Sequence, residues 1–341
     1  MHKQSETEFI QPVYYSFSDF SLTLVTRSND CHAMMRRLTH FRPTDHPSEQ
    51  NITICFQEKA NLDVFFAPMP SSVKLLYEIK PDRAGDRGIQ VYQQDVQVRW
   101  IRFPGFGGIA VNYVSRTIAS CFVSEVRPDD LVPFIFFIIQ PLTRMVSCFA
   151  YHFLHAATLS VCGHGILITG LSGRGKSTAT MALVDGGHVA LTDEYTFIKK
   201  EKDEFFAYSM MDWIKISPVA QNRFFRHRQS RGLFCEADHV YRLSQINPHP
   251  IKQPVKISHL FILSQSGQHD TRIQSAISLD VIPELLPVSI SIFDQVQQKG
   301  QFELFTDFLN TVRCYRVSFG TDMDRFVSAV EQTVQKEENK I

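Results

Sequence analysis

One stretch of this 341-residue chain limits its fold more than any other: GILITGLSGRGKSTATMALVDGG, residues 165–187. An apolar run, ILIT, precedes a glycine-rich segment that satisfies G-x-x-x-x-G-K-[ST], and the run STATMALV after it favours a helix. Glycines in such a turn let backbone N–H groups point inward around an anion, and the helix N-terminus adds partial positive charge. The pattern predicts a phosphate-binding loop followed by a helix that ends at Gly186-Gly187.

The loop also supplies candidate nucleotide-binding side chains. Lys176 is expected to reach the β- and γ-phosphates, and the Ser177 hydroxyl is expected to ligate Mg²⁺. The candidate nucleotide-binding residues are Gly170, Ser172, Gly173, Arg174, Gly175, Lys176, Ser177 and Thr178. A glycine-rich turn with a chance lysine is the weaker interpretation, because the complete motif stands between a strand pattern and a helix pattern.

An acid pair follows the predicted helix in VALTDE, residues 189–194. Asp193 and Glu194 stand at the carboxyl end of a short apolar strand, where an Asp can hold Mg²⁺ directly or through water. The alternative is a solvated acidic turn. Because ligands gather beyond the carboxyl ends of strands in open α/β sheets, the nearby phosphate-binding loop favours a metal-holding role. Candidate metal ligands are therefore Ser177, Asp193 and Glu194.

Charge and cysteine usage restrict the partners and the compartment. Lys and Arg total 35 and Asp and Glu total 35, with no long basic run, so nucleic-acid binding has no electrostatic support. The seven cysteines are scattered singly, without a CxxC pair. This usage predicts reduced thiols in a cytoplasm rather than a disulfide framework or a zinc site.

The sequence offers little for membrane insertion. The N-terminal MHKQSETEF lacks the apolar core of a signal peptide. The most lipophilic run, LVPFIFFII at residues 131–139, is too short to span a bilayer and is followed by Gln140, Pro141 and Arg144. We expect a buried helix or helix pair here, with membrane contact as the alternative.

Two domains are predicted, residues 1–128 and 129–341. The first part contains short alternating segments separated by polar connections, which predicts an α+β or mostly β module. After VRPDD, at residues 126–130, strand patterns alternate with helix patterns, which predicts an α/β layered domain. The first module is a candidate for acceptor recognition.

A family resemblance begins at His155. The run HAATLSVCGHGILITGLSGRGKS, followed by GHVALTDE, closely resembles the signature of the HPr kinase/phosphorylase family. The matching elements are His155, Gly163, Gly165, Gly170–Ser177, Gly187-His188 and Asp193-Glu194. The resemblance is strong over residues 155–194 and weak over residues 131–335. It implies an α/β P-loop kinase domain of the HPr kinase/phosphoenolpyruvate carboxykinase type, preceded by a smaller N-terminal domain.

The resemblance also implies catalytic roles. In the family, strand-end aspartates act as general base and metal ligand, and a histidine lies near the phosphates. Here Asp193 would take one of these two tasks and Glu194 the other, while His155 would steady the transferring group and Lys176 would contact the phosphates. The alternative for His155 is a core-edge histidine that is hydrogen-bonded to backbone.

Several positions depart from the family pattern. Glu194 replaces the second aspartate, which leaves the assignment of the base open. The later E-I-R-G and P-x-x-P-G-R-N elements are not recognisable; MMDWIKIS (210–217) and IPELLPVS (282–289) stand in their place. Phosphorolysis and regulation of HPr therefore lose support. Asp212 and Lys215 are weak candidates for the rim of the site, and surface charges are the favoured interpretation.

The expected function is an ATP- and Mg²⁺-dependent cytoplasmic kinase that phosphorylates a hydroxyl, most simply serine of a peptide or small protein. The front module and the ending CYRVSFGTDMDRF look more like HPr-kinase-like proteins of peptide-tailoring and polysaccharide gene clusters, such as lasso-peptide kinases, than like the sugar-uptake regulator. A small-molecule kinase acting on free serine or a sugar and a non-catalytic nucleotide-binding module stay open as alternatives. No nucleic-acid or membrane partner is expected, and a homo-oligomer is compatible with the sequence.

One loop is a candidate for holding the acceptor. The segment RFFRHRQSRGLF, residues 223–234, carries four arginines. It could bind an acidic side chain or the C-terminal carboxylate of a peptide. A solvated basic loop is an equally supported interpretation.

Overall fold

The computed structural model describes residues 10–80, 88–94, 97–127, 130–228, 234–235, 237–250, 252–265, 267–289 and 295–336. The chain divides into two compact units, Met1–Arg37 with Phe41–Phe149 and Leu38–His40 with Ala150–Ile341. Both contain mixed sheets, and the fold class is α/β. The main division lies at Phe149 rather than at the predicted residue 128, because the apolar helical segment packs on the first unit's own sheet.

The first unit contains one nine-stranded sheet. Its elements are β1 (Val13–Phe17), β2 (Phe20–Val25), α1 (Asn29–Leu38), β3 (Arg42–Thr44), β4 (Asn51–Gln57), α2 (Leu62–Phe66), β5 (Lys74–Ile79), β6 (Ile89–Gln93), β7 (Val98–Phe103), β8 (Gly107–Asn112) and β9 (Thr117–Phe122). The strand order is β3-β1-β2-β4-β9-β8-β7-β6-β5. β4 runs parallel to both β2 and β9, and the remaining neighbours are antiparallel. Burial alternates along β4 and β7, so each of these strands has one buried face.

A continuous helical segment, Val132–Phe149, is the last element of this unit along the chain. It consists of α3 (Val132–Phe134), a π-helical stretch (Ile135–Ile139), α4 (Gln140–Met145) and a 3₁₀ turn (Val146–Phe149). By length and composition it could cross a membrane, with a mean hydropathy of 1.6, but 72% of the segment is buried inside the protein. Phe137 packs against Phe103, Phe106 and Phe122 of the sheet region, at ring-centroid distances of 5.2 to 6.0 Å. The predicted buried helix is thus present.

The second unit contains another mixed sheet and a small three-stranded one. Its elements are β10 (His152–His155), β11 (Ala157–Val161), β12 (His164–Thr169), α5 (Lys176–Asp185), β13 (Val189–Thr192), β14 (Tyr195–Glu201), β15 (Glu204–Tyr208), β16 (Ile214–Ile216), α6 (Pro218–Phe224), β17 (Phe234–Cys235), β18 (Asp238–Tyr241), α7 (Leu243–Ile246), β19 (Val255–Gln265), β20 (Arg272–Ala276), α8 (Ser278–Ser289), α9 (Gln295–Thr311), β21 (Arg313–Phe319) and α10 (Met323–Gln335). The main order is β10-β14-β15-β19-β12-β11-β13, with β21 beside β19 and β20 beside β21. The order of the small sheet is β16-β18-β17.

Strand direction determines where the phosphate-binding loop and the acid pair meet. β11 runs antiparallel to both β12 and β13. β12 and β13 therefore point the same way on either side of β11, and their carboxyl ends lie at one edge of the sheet. The loop follows β12 and the acid pair follows β13, so residues 170–177 and 193–194 are brought to the same edge.

Helix α10 packs on α5 at one face of this sheet. Phe326, Val330 and Val334 of α10 recur at a helical spacing of four and are buried. The Phe326 ring meets the Phe319 ring edge-on at 4.9 Å. Both helices thereby share one apolar core with the strands that carry the loop.

Candidate active site

The glycine-rich loop joins β12 to α5 in a conformation that needs glycine. Gly175 stands at the start of α5 with φ of +94°, and a Cβ there would lie 2.9 Å from the Phe319 ring. Gly170 has φ of +145°, and a Cβ there would meet the Leu263 carbonyl oxygen at 2.7 Å. Any other residue at either position would be strained and would collide with its neighbour. The helix ends at Gly186, as predicted.

The remaining loop residues lie where a ligand could reach them. Ser172, Gly173 and Arg174 are exposed at the tip of the loop, and the Arg174 N–H donates to the Leu171 carbonyl at 3.2 Å. Thr178 is half-buried in the first turn of α5. This arrangement leaves the tip open while α5 anchors the base of the loop.

Lys176 is folded back over the loop. Its side-chain Nζ donates to the Gly170 carbonyl oxygen at 2.9 Å and lies 3.5 Å from the Leu171 carbonyl oxygen. The residue is 7% exposed. Burial lowers the pKa of Lys176, while Asp193 and Glu194 act in the opposite direction. An anion in the loop would supply the counter-charge that this buried ammonium group needs.

Ser177 and Asp193 meet across the sheet edge. The Ser177 hydroxyl donates to Asp193 Oδ2 at 2.7 Å, although the two residues are sixteen positions apart. Asp193 is completely buried, and its Oδ1 has no hydrogen-bond partner among the described residues. Burial and, to a smaller extent, the neighbouring Glu194 together raise the pKa of Asp193 to about 7, against the lowering effects of the Ser177 hydrogen bond and of Lys215 and Lys176.

These features fit a divalent cation. A buried carboxylate oxygen without a partner is costly, and Mg²⁺ binds carboxylate and hydroxyl oxygens. Ser177 and Asp193 could be its protein ligands, and a glycine-rich loop of this kind could direct backbone N–H groups at phosphates. The donor set is therefore the one that a Mg²⁺–nucleotide site requires.

Glu194 belongs to a second group of charges. Its Oε2 lies 3.0 Å from Lys215 Nζ, and its Oε1 lies 4.0 Å from His155 Nε2. The Glu194 side chain is 22% exposed, in contrast to the buried Asp193. The two acids thus face different surroundings despite their adjacency.

Strand pairing explains how His155 reaches Glu194. β10 and β14 are antiparallel, with His155 opposite Tyr195, the residue after Glu194. The structure therefore brings His155 to Glu194 of the acid pair. Burial lowers the pKa of His155, and Lys176 lowers it further, so the imidazole is neutral at pH 7.

Lys215 is the residue of this group that sequence reasoning undervalued. It lies on β16, a three-residue strand whose pattern is too short to distinguish an inward from an outward side chain. Burial alone would lower the pKa of Lys215, but the Glu194 carboxylate raises it overall, so the ammonium stays charged. The expectation of a surface charge at this position is wrong.

Asp212 is also not a surface charge. It is 2% exposed, and its carboxylate accepts hydrogen bonds from the Arg242 guanidinium at 3.2 Å and from the Ser244 backbone N–H at 2.7 Å. Its acceptor oxygens are engaged at the start of α7, so its role is structural.

Among the residues that the structure describes, Arg226 and Arg228 of the basic loop contact groups other than the phosphate-binding loop. Arg228 forms an ion pair with Asp185 at the last residue of α5, the end of that helix away from the phosphate-binding loop. Arg226 donates to the Asn222 carbonyl oxygen in its own segment. Arg231 lies outside the described residues. The contacts of Arg226 and Arg228 thus give no support to acceptor binding beside Lys176.

Comparison with known proteins agrees with the sequence signature. The chain is 45% identical over 51 residues to the HPr kinase/phosphorylase of Lachnoclostridium phytofermentans, which covers 15% of this chain and 16% of that protein. It is 42% identical over 53 residues to the HPr kinase/phosphorylase of Mycoplasmopsis pulmonis, which covers 16% of this chain and 17% of that protein. No protein-family profile matches the chain.

Among solved structures, the Hpr(Ser) kinase/phosphatase from Coxiella burnetii aligns with 55% of this chain and 97% of its own, at 14% identity and a TM-score of 0.34. The curated relatives are matched over less than a fifth of their length. Over those short segments the predicted resemblance is confirmed: this chain is similar in sequence to the HPr kinase/phosphorylase family.

Proposed function

We propose that this protein is an ATP- and Mg²⁺-dependent kinase of the HPr-kinase type that transfers the γ-phosphate to a hydroxyl group. The favoured acceptor is serine of a peptide or small protein. One observation carries the proposal. The Ser177 hydroxyl and the buried Asp193 carboxylate come together beside Lys176 at the start of α5. Only one of the two carboxylate oxygens of Asp193 has a hydrogen-bond partner among the described residues. Phosphoryl transfer depends mainly on such positioning and charge neutralisation.

The nucleotide is assigned to the glycine-rich loop. Backbone N–H groups of residues 170–178 cradle its phosphates, with Lys176 as the cationic partner. Ser177 and Asp193 hold Mg²⁺, which when bound neutralises charge on the β- and γ-phosphates. Ser172, Arg174 and Thr178 complete the loop around the ligand.

Burial divides the tasks of the two acids. A general base must come within hydrogen-bond reach of the proton that it accepts. Asp193 is completely buried, whereas Glu194 is partly exposed, so we assign the metal to Asp193 and the base to Glu194. The acceptor oxygen forms a bond to the γ-phosphorus as the bond to the bridging oxygen of ADP breaks, and the hydroxyl proton passes to Glu194.

His155 and Lys215 orient this base. Lys215 holds one carboxylate oxygen of Glu194 at 3.0 Å, and His155 lies 4.0 Å from the other. A neutral His155 can donate a hydrogen bond to the transferring group without adding charge. The acceptor class rests on the sequence resemblance and on the two relatives, whose names identify HPr, a protein, as their substrate.

The test is a product assay with the full chain. Purified protein is incubated with γ-labelled ATP and Mg²⁺ and offered serine-containing peptides, HPr and free serine, and each product is identified by mass spectrometry. Asp193→Asn is the matched control, since it keeps the shape of the side chain and removes its charge. We expect a phosphorylated serine in a peptide or protein, dependent on Mg²⁺ and strongly reduced in the variant at the Mg²⁺ concentration that half-saturates the unmodified protein.

Two outcomes would contradict the proposal. Phosphorylation of free serine at an efficiency equal to any peptide would favour a small-molecule kinase. Binding of Mg²⁺–ATP with no acceptor other than water would leave a nucleotide-binding module.

A further inference from the structure

Three potential metal ligands converge in the second unit away from the candidate active site. The Cys162 sulfur, an imidazole nitrogen of His188 and a carboxylate oxygen of Glu331 all lie within 4.8 Å of one another. His188 Nε2 is 2.9 Å from Glu331 Oε1. Among the described residues, no other group of three such ligands comes this close together.

Three separate segments bring these side chains together. Cys162 lies in the two-residue turn between β11 and β12, with φ of +50°, a conformation that is uncommon for a cysteine. His188 follows the end of α5 and precedes β13, and Glu331 lies on α10. Because α10 packs on α5, the helix carries Glu331 to the same edge of the sheet as the turn.

The chemistry of the three ligands matches Zn²⁺. Zinc binds thiolate sulfur, imidazole nitrogen and carboxylate oxygen in tetrahedral sites, with bonds of about 2.0 to 2.3 Å. Such bonds place neighbouring ligand atoms roughly 3.3 to 3.6 Å apart. A separation of at most 4.8 Å is therefore closed by small side-chain rotations.

A neighbouring side chain forms a hydrogen bond with the cysteine sulfur. The Gln335 amide nitrogen lies 3.4 Å from the Cys162 sulfur and donates to it. Hydrogen bonds to ligand atoms of this kind orient metal ligands and stabilise their charge. The His188 side chain is only 11% exposed, so the imidazole is held in place rather than free to rotate in solvent.

We propose that Cys162, His188 and Glu331 bind a Zn²⁺ ion, with water as the fourth ligand. The site lies at the C-terminal end of the ten-residue helix α5, whose length puts it about 15 Å from the phosphate-binding loop. The ion ties α10 to the β11–β12 turn and to the start of β13. Its role is structural, and it is independent of the proposed kinase activity.

The site also explains why cysteine spacing predicted no zinc. The ligands are residues 162, 188 and 331, one from each of three distant segments, and none forms a short motif with another. Only the packing of α10 brings them together.

The experiment measures metal binding by the full chain after treatment with chelator and reductant. Zn²⁺ is titrated in competition with a chromophoric chelator, and Co²⁺ is added separately to detect thiolate-to-metal charge-transfer absorption. We expect one Zn²⁺ per chain with a dissociation constant below about 1 μM, a sulfur-to-cobalt band and a rise in the melting temperature on zinc addition.

Matched variants identify the ligands. Cys162→Ser and His188→Gln should each weaken zinc binding by at least about 10- to 100-fold, and Cys162→Ser should abolish the cobalt band. Cys55→Ser removes another exposed cysteine, and His227→Gln removes an imidazole that also pairs with a carboxylate, Asp185, at 3.1 Å. Both controls should bind zinc like the unmodified protein.

The proposal is overturned if the unmodified protein binds no zinc at tens of micromolar concentrations, or if Cys162→Ser binds it equally well. Loss of binding in the Cys55→Ser control alone would also overturn it, because the thiolate would then lie elsewhere. Because the readouts are metal content, absorption and melting temperature, an inactive kinase does not affect the result.

Discussion

The Lys215 ammonium lies 3.0 Å from Oε2 of Glu194, and both side chains are 22% exposed. The pair stands beside the buried Asp193, so a positive charge is placed where the negative charges of the acid pair and a nucleotide would otherwise repel each other. Partial burial makes this pair electrostatically stronger than a surface ion pair.

Neutralising Lys215 should therefore reduce kinase turnover. We expect Lys215→Met to lower kcat by about 10- to 100-fold, because Glu194 loses the partner that orients it. Lys215→Arg, which keeps the charge, should recover part of the activity. Steady-state kinetics at saturating ATP measure both variants.

Lys200→Met provides the matched control for this prediction. Lys200 also pairs with a carboxylate, that of Asp307, but both groups are substantially exposed and outside the candidate site. Its kcat should equal that of the unmodified protein. A Lys215→Met variant with full activity would show that the ion pair has no part in the reaction.

Variants of Asp193 and Glu194 should differ in how their kinase activity depends on the Mg²⁺ concentration. Asp193→Asn removes a metal ligand, so we expect the Mg²⁺ concentration needed for half-maximal activity to rise by about tenfold or more. Glu194→Gln removes the base, so kcat should fall by about 10²- to 10⁴-fold with an unchanged Mg²⁺ requirement. Activity measured against Mg²⁺ concentration distinguishes them. The reverse pattern would exchange the two assignments.

Lys176 should act on nucleotide binding rather than on folding. Its ammonium is buried at a cost that lowers its pKa, so Lys176→Met should leave the melting temperature equal or higher. Loss of a charge-assisted hydrogen bond to phosphate should weaken Mg²⁺–ATP binding by about 10- to 100-fold. Calorimetric titration and thermal melting check the two parts. Equal ATP affinity in both proteins would remove the loop from the nucleotide site.

The sequence predicted the parts of the site that depend on local pattern. The loop motif, the strand before it and the helix that ends at Gly186 follow from residues close together in the chain, and the structure has them. His155 and Glu194 come together because β10 pairs with β14. A short sequence motif can therefore indicate the loop, the strand before it and the helix after it.

Other features depend on packing that no local pattern encodes. In the sequence, Lys215 is a single charged residue between two apolar residues. The side chain faces Glu194 only because its strand belongs to the small sheet formed by β16, β17 and β18. The helix Val132–Phe149 follows the predicted joint, yet its phenylalanines pack on the first unit's sheet. In both cases the partner is distant in sequence, so composition and periodicity leave its identity open.

The buried Asp193 should make the stability of the metal-free protein depend on pH. Its pKa rises from 3.8 in the unfolded chain to about 7 in the folded one, so between these values the folded state holds a proton that the unfolded state has lost. The free energy of unfolding therefore falls as pH rises from about 4 to 7. The stability that comes from the protonated Asp193 is fully present only below the pKa of the unfolded chain. We expect a loss of about 2 to 4 kcal/mol over that range, measured by urea unfolding in chelator. Asp193→Asn should lack this component, and Mg²⁺ should diminish it in the unmodified protein by favouring the ionised carboxylate. Equal pH slopes for the two metal-free proteins would show that Asp193 ionises normally.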